Sequence, residues 1–87
     1  MPFEVRLGRS AAKAYARLSG KLARGVDRCL AELEMEPTAG PDIKRLKGLA
    51  GCYRVQVGGF RILYEVDLEA RIVWVYEIRP RGDVYKR

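Results

Sequence analysis

The chain has 87 residues, room for one hydrophobic core, and is read as a single domain spanning 1–87. With 48% apolar and 32% charged residues it has the composition of a folded globular protein rather than of a disordered tail. It has no histidine and only two cysteines, Cys29 and Cys52, without CxxC spacing, which argues against a transition-metal site, while a net charge of +6 points to a polyanionic partner.

Phe3-Glu4-Val5-Arg6-Leu7 alternates apolar and charged residues, the period of a strand with one buried face, and Gly8 ends it. Ser10 suits the N-cap of an Ala-rich helix over 11–18, on which Ala11, Tyr15 and Leu18 share a face. Ser19-Gly20 breaks that helix. A second follows, with Leu22, Val26, Cys29, Leu30 and Leu33 on one side, until Pro37 stops it. Two amphipathic helices joined by a tight turn are expected to pack as a hairpin on a sheet.

Thr38 to Asp42 reads as loop, and Ile43 to Gly51 as a connector pinned by Ile43, Leu46 and Leu49, with Lys44, Arg45 and Lys47 facing water. Cys52–Val57 and Phe60–Val66 flank Gly58-Gly59, a dipeptide suited to a two-residue hairpin turn. Arg71–Ile78 is the last strand, and its nearly continuous apolar run predicts a central position buried on both faces. The order is β-α-α-β-β-β, an α+β fold with the helical hairpin packed on a mainly antiparallel four-stranded sheet. Both cysteines fall in apolar patterns and are expected to be reduced, buried thiols.

No apolar stretch exceeds the Ile72–Tyr76 run, far short of the roughly 20 residues that cross a bilayer, and the N-terminus lacks a basic head followed by an apolar signal core. A cytoplasmic protein without membrane contact is expected. Charge is unevenly distributed: residues 1–43 carry seven Lys/Arg against six Asp/Glu, and residues 44–87 carry ten against five. Clustered cations of this kind displace counterions from phosphates, which favours nucleic acid as the partner.

A turn at Gly58-Gly59 pairs Val57 with Phe60, Gln56 with Arg61 and Arg54 with Leu63, placing Arg54 and Arg61 diagonally on the face away from the apolar set. Guanidiniums held that close repel one another unless an anion sits between them. The plainer reading is a solvated face whose arginines are neutralised by Glu65 or Glu77. Against it stands the ending Arg79-Pro80-Arg81-Gly82-Asp83-Val84-Tyr85-Lys86-Arg87, which adds cations and a tyrosine beside the same sheet. Arginine clamps phosphate and tyrosine stacks on unpaired bases, the two requirements of single-stranded RNA recognition.

Leu46-Lys47-Gly48-Leu49 leading to Tyr53-Arg54-Val55, then Gly59-Phe60-Arg61-Ile62-Leu63-Tyr64-Glu65-Val66, then an apolar strand closing in Arg81-Gly82-Asp83-Val84-Tyr85, resembles the RelE branch of the RelE/ParE toxins over essentially the whole chain. The resemblance implies the toxin of a type II toxin–antitoxin pair, a ribosome-dependent mRNA interferase that cuts the A-site codon through attack of the substrate's own 2′-hydroxyl, inhibiting translation without metal or cofactor. It implies phosphate-stabilising roles for Arg54 and Arg61, a leaving-group role for Arg81 and a base-orienting role for Tyr85. Arg79 takes the place of Arg81 if the loop is shifted by two residues. Lys44, Arg45, Lys47, Gln56, Arg79, Lys86 and Arg87 complete the expected RNA-binding set.

Gln56 departs from the family, which commonly places there a lysine proposed as general base, and Pro80 stands where a histidine is common. Implied partners are the ribosome, mRNA and a cognate RelB-like antitoxin with an acidic or amphipathic segment, with operator DNA reached only through the antitoxin complex. Two other readings share the fold: a ParE-like inhibitor of DNA gyrase, and a non-catalytic module that binds RNA or protein.

Overall fold

The computed structural model describes residues 2–80, so Arg81, Tyr85, Lys86 and Arg87 lie outside the described residues. Strand β1 (Glu4–Leu7) leads into helices α1 (Arg9–Ala16) and α2 (Gly20–Met35). Strands β2 (Ile43–Arg45), β3 (Cys52–Val57), β4 (Phe60–Asp67) and β5 (Ile72–Pro80) follow. They form one five-stranded sheet in the order β1-β5-β4-β3-β2, antiparallel except where β1 runs parallel to β5.

The passage from β1 to α1 has no loop. Gly8 donates its N–H to the Val75 carbonyl at 2.7 Å and accepts from the Ala12 N–H at 2.8 Å, so the strand's last bond and the helix's first meet at one residue. The helix therefore starts at Arg9, capped by the Gly8 backbone with no side-chain bond, and Ser10 lies inside the first turn rather than at the cap. A hydrogen bond from the Tyr15 hydroxyl to Asp27 ties the two helices together.

The helices cover one face of the sheet. Ala11, Val26, Cys29 and Leu33 pack there against Val55, Ile62, Tyr64, Val66, Val73, Val75 and Ile78, with Phe3 closing one end. At the centre Tyr64 is fully buried, its ring stacked on Tyr53 at 5.8 Å and its hydroxyl donating to the Pro37 carbonyl at 2.7 Å. Pro37 thus stops α2 and also supplies the acceptor that makes a buried phenol affordable.

Three expectations are corrected. The connector after Asp42 contributes a fifth strand, because Ile43 takes a place opposite Val55 and carries Lys44 and Arg45 into register with Arg54 and Tyr53. Strand β5 is interior but not buried on both faces: Trp74 and Tyr76 are 40% and 38% exposed, since only one layer of helices is present to cover the sheet. Cys29 is buried as expected, whereas Cys52 points to the uncovered face and is only half-buried; both are free thiols.

Leu63 lies opposite Glu77 while Tyr64 lies opposite Val75, so Tyr76 is an unopposed extra residue, a β-bulge. The Gly58-Gly59 hairpin turns with Gly58 at φ 56° and gives the expected register, Val57 opposite Phe60 and Gln56 opposite Arg61.

Tyr64→Phe leaves the Pro37 carbonyl without its buried donor and is expected to cost about 1–2 kcal/mol in chemical denaturation with the fold retained. Burial pushes the Cys29 thiol up to about 11. The folded state then holds this proton after the unfolded chain has released it, so stability is complete below the unfolded value and falls as pH rises through about 11. Burial raises the Tyr64 hydroxyl too, extending the loss to higher pH. Denaturation midpoints measured from neutral to alkaline pH are expected to decline, with a shallower first part of the decline in Cys29→Ala.

Candidate nucleic-acid interface

With the helices on one side, alternation along each strand hands the other side to a second set of side chains. The register arranges them in rows across the sheet. Gln56, Arg61 and Arg79 form one row, Arg61 directly opposite both neighbours. Lys44, Arg54, Leu63 and Glu77 form the next. Cys52, Glu65, Trp74 and, through the parallel pair with β1, Arg6 form a third.

The first two rows concentrate cations. Arg61 faces Arg79 across one strand pair and Lys44 faces Arg54 across another, two like-charged pairs of the kind that destabilises a sheet when nothing lies between them. Among the described residues the one neutralising contact in these rows is Glu77 to Arg79 at 3.4 Å, with both side chains more than a third exposed, a geometry worth little in water. Arg54, Gln56 and Arg61 are half-buried, and Leu63 between them is buried although no helix covers it. Arg54 and Glu77 flank it on the neighbouring strands, and Arg61 is two residues away on its own strand.

The Nε atoms of Arg61 and Arg79 are buried without a hydrogen-bond partner among the described residues. An unsatisfied buried donor is costly, and more so on a cation. Each donor belongs to a fork that fits two oxygens of a phosphate. The arrangement can therefore bind a phosphodiester and stabilise extra negative charge on it.

Of the residues expected from sequence, Arg54, Arg61, Lys44, Gln56 and Arg79 are brought onto this one face. Arg45 is not: it lies opposite Tyr53, whose side of the sheet packs on the core, and so emerges at the other side of the edge strand. Lys47 is exposed in the turn beyond β2. Sequence reasoning assigned Trp74 and Tyr76 to the interior and so missed two aromatic rings on the same face; the alternation of Val73 and Val75 with Trp74 and Tyr76 was the signal. Among the described residues no three Cys, Asp or Glu side chains converge to hold a metal ion, and no helix is long and apolar enough to cross a membrane.

Arg61→Met keeps an unbranched apolar stem and removes the charge opposite Arg79. It is expected to raise the stability of the free protein by about 0.5 kcal/mol at low salt. The gain should shrink in concentrated salt when denaturation midpoints are compared.

Residues 5–85 match the family model described as the ParE toxin of type II toxin–antitoxin system, parDE. The chain is similar to Toxin RelG of Mycobacterium tuberculosis, with 32% identity over an 89-residue alignment that covers 100% of both proteins. The fold is similar to the archaeal RelE–RelB complex from Pyrococcus horikoshii, with a TM-score of 0.82 and 26% identity over 94% of this chain and 98% of that one. It is also similar to the toxin–antitoxin complex RelBE2 from Mycobacterium tuberculosis, with a TM-score of 0.77 and 26% identity over 93% of this chain and 100% of that one. A family match along nearly the whole chain, a relative matched end to end and the shared sheet-and-hairpin fold agree: the chain belongs to the RelE/ParE family of type II toxin–antitoxin toxins.

Proposed function

We propose that the protein is a ribosome-dependent endoribonuclease that cleaves mRNA in the A site by attack of the substrate's 2′-hydroxyl on the adjacent phosphate, leaving a cyclic phosphate and a free 5′-hydroxyl. The observation that carries this reading is the placement of Arg61 directly opposite Arg79, with Arg54 and Lys44 in the next row, on a face no helix covers. The reaction needs in-line positioning, stabilisation of a pentacovalent dianion and proton transfer. Arg54 and Arg61 meet the second need, and the Gln56 amide beside Arg61 donates to the same phosphate without accepting a proton.

Arg81 is assigned to the leaving group and Tyr85 to orienting the base. The position of Arg79 supports its sharing the phosphate with Arg61, so the two tail arginines are separable by substitution. Glu77, on the same face and paired with Arg79, is a carboxylate within this cluster that could accept the 2′-hydroxyl proton in place of the missing lysine. Lys44 and Lys47, with Lys86 and Arg87, extend the electrostatic footprint along the strand of RNA.

The partner is a cognate antitoxin, since the similar folds from Pyrococcus horikoshii and Mycobacterium tuberculosis are seen in complexes with theirs. An acidic or amphipathic segment would meet the charge of the bare face. The ParE description of the matching family model favours a second reading, inhibition of DNA gyrase through protein contacts.

Programmed ribosomes carrying a defined A-site codon, with cuts mapped by primer extension, decide between them. Wild-type protein is expected to cut within the codon, with Arg61→Ala slower by roughly 100- to 1,000-fold, the usual loss on removing one charge-stabilising donor. Arg79→Ala and Arg81→Ala, compared side by side, identify the arginine at the leaving group. Absence of cuts together with inhibited gyrase supercoiling would replace the nuclease reading with the second.

A further inference from the structure

We propose that Trp74 and Tyr76 form a stacking platform for an unpaired base of the single-stranded RNA whose phosphate the arginine rows hold, and this rests on the RNA-cleaving reading above. Both rings stand on the bare face of β5, 40% and 38% exposed. The other large exposed apolar residues among those described, Met35, Leu49 and Leu68, lie at a helix end and in turns, so among the described residues the aromatic pair is the large exposed apolar area of this face. Neither ring belongs to the buried cluster under the helices.

Trp74 already has a cation against its ring before any ligand arrives. The Arg6 guanidinium lies over the Trp74 ring, 5.4 Å from its centroid, and also meets Glu4 at 2.9 Å. Tyr76 sits by Cys52, where burial and the neighbouring thiol push its hydroxyl up. A ring held by such a contact loses little freedom when a base stacks on it. Arg6 adds a second flat cation on which a base can lie.

Trp74 is opposite Glu65, four positions along β4 from Arg61. At about 3.3 Å per residue the platform lies roughly 13 Å from the row of Arg61 and roughly 7 Å from the row of Arg54, within reach of an extended strand whose phosphate rests there. Glu65 shares the row with Trp74 and disfavours a phosphate at that point. A base therefore occupies this row rather than backbone, and the carboxylate is an acceptor for an exocyclic amine on the base edge. Cations for the backbone beside rings for the bases is the pairing by which single strands are gripped.

Trp74 is the one tryptophan of the sequence, so its emission reports on the platform directly. The test uses the full chain at low ionic strength and a short RNA oligonucleotide carrying 2′-O-methyl groups throughout, which lacks the attacking hydroxyl. Saturable quenching of Trp74 emission is expected. Trp74→Ala should weaken binding about tenfold, while Trp74→Phe, which keeps a ring and controls for folding, stays within about twofold.

An abasic position walked along the oligonucleotide should weaken binding to the wild type at one site, and that penalty should vanish in Trp74→Ala. If the oligonucleotide binds, Arg61→Ala weakens it, and yet emission is unmoved and Trp74→Ala binds as wild type does, the platform is overturned while the RNA-binding face stands. No saturable binding, or binding indifferent to Arg61→Ala, overturns the platform, and the programmed-ribosome assay then decides the nuclease reading separately.

Discussion

Packing a two-helix hairpin against one side of a sheet settles the apolar half of every strand and leaves the other half to side chains that gain nothing from the core. On this uncovered half the antiparallel register of β3, β4 and β5 sets arginine against arginine. Such a placement opposes folding by a few tenths of a kcal/mol per pair. The burial of Tyr64, Leu33, Ile62 and Val26 outweighs it by far, at about 1.5–3 kcal/mol for each large side chain. The cationic face is thus sustained by a core cluster packed under the helices on the other side of the sheet.

The hairpin formed by β3 and β4 was readable in full, because Gly58-Gly59 fixes the turn and the strict alternation of Tyr53, Val55 and Val57 fixes which side is inward. Helix α2 was equally plain from its apolar face and from Pro37. Strand β2 was not, since three residues carry too little pattern to distinguish a strand from an extended connector. Its existence decides that Lys44 joins the cation rows and Arg45 does not, so a residue-level assignment of the interface depended on an element that composition hides.

Strand β5 was harder for another reason. An unbroken run of Val, Trp, Tyr and Ile looks the same whether both faces are buried or one face presents aromatic rings to solvent. What separates the cases is the number of layers around the sheet, a property of the whole chain and not of the strand. The Arg6 to Trp74 contact was likewise invisible, because it requires the parallel pairing of the first and last strands. The Cys52 side chain follows the same logic: a small apolar residue at a strand's start carries no sign of which side it faces.

The bulge at Tyr76 makes the composition of both surfaces a matter of phase. Val73 and Val75 face the helices two residues apart, and the next inward residue, Ile78, comes after an interval of three. That extra step is what sends Arg79 outward to meet Arg61 and keeps Ile78 in the core. Were alternation to run on from Val75 through Tyr76 without the bulge, Glu77 and Arg79 would turn into the apolar interior and Ile78 into water. The step over Tyr76 therefore decides which letters of β5 meet the helices and which meet the cations, and the strand keeps both patterns only because its pairing with β4 skips that one residue.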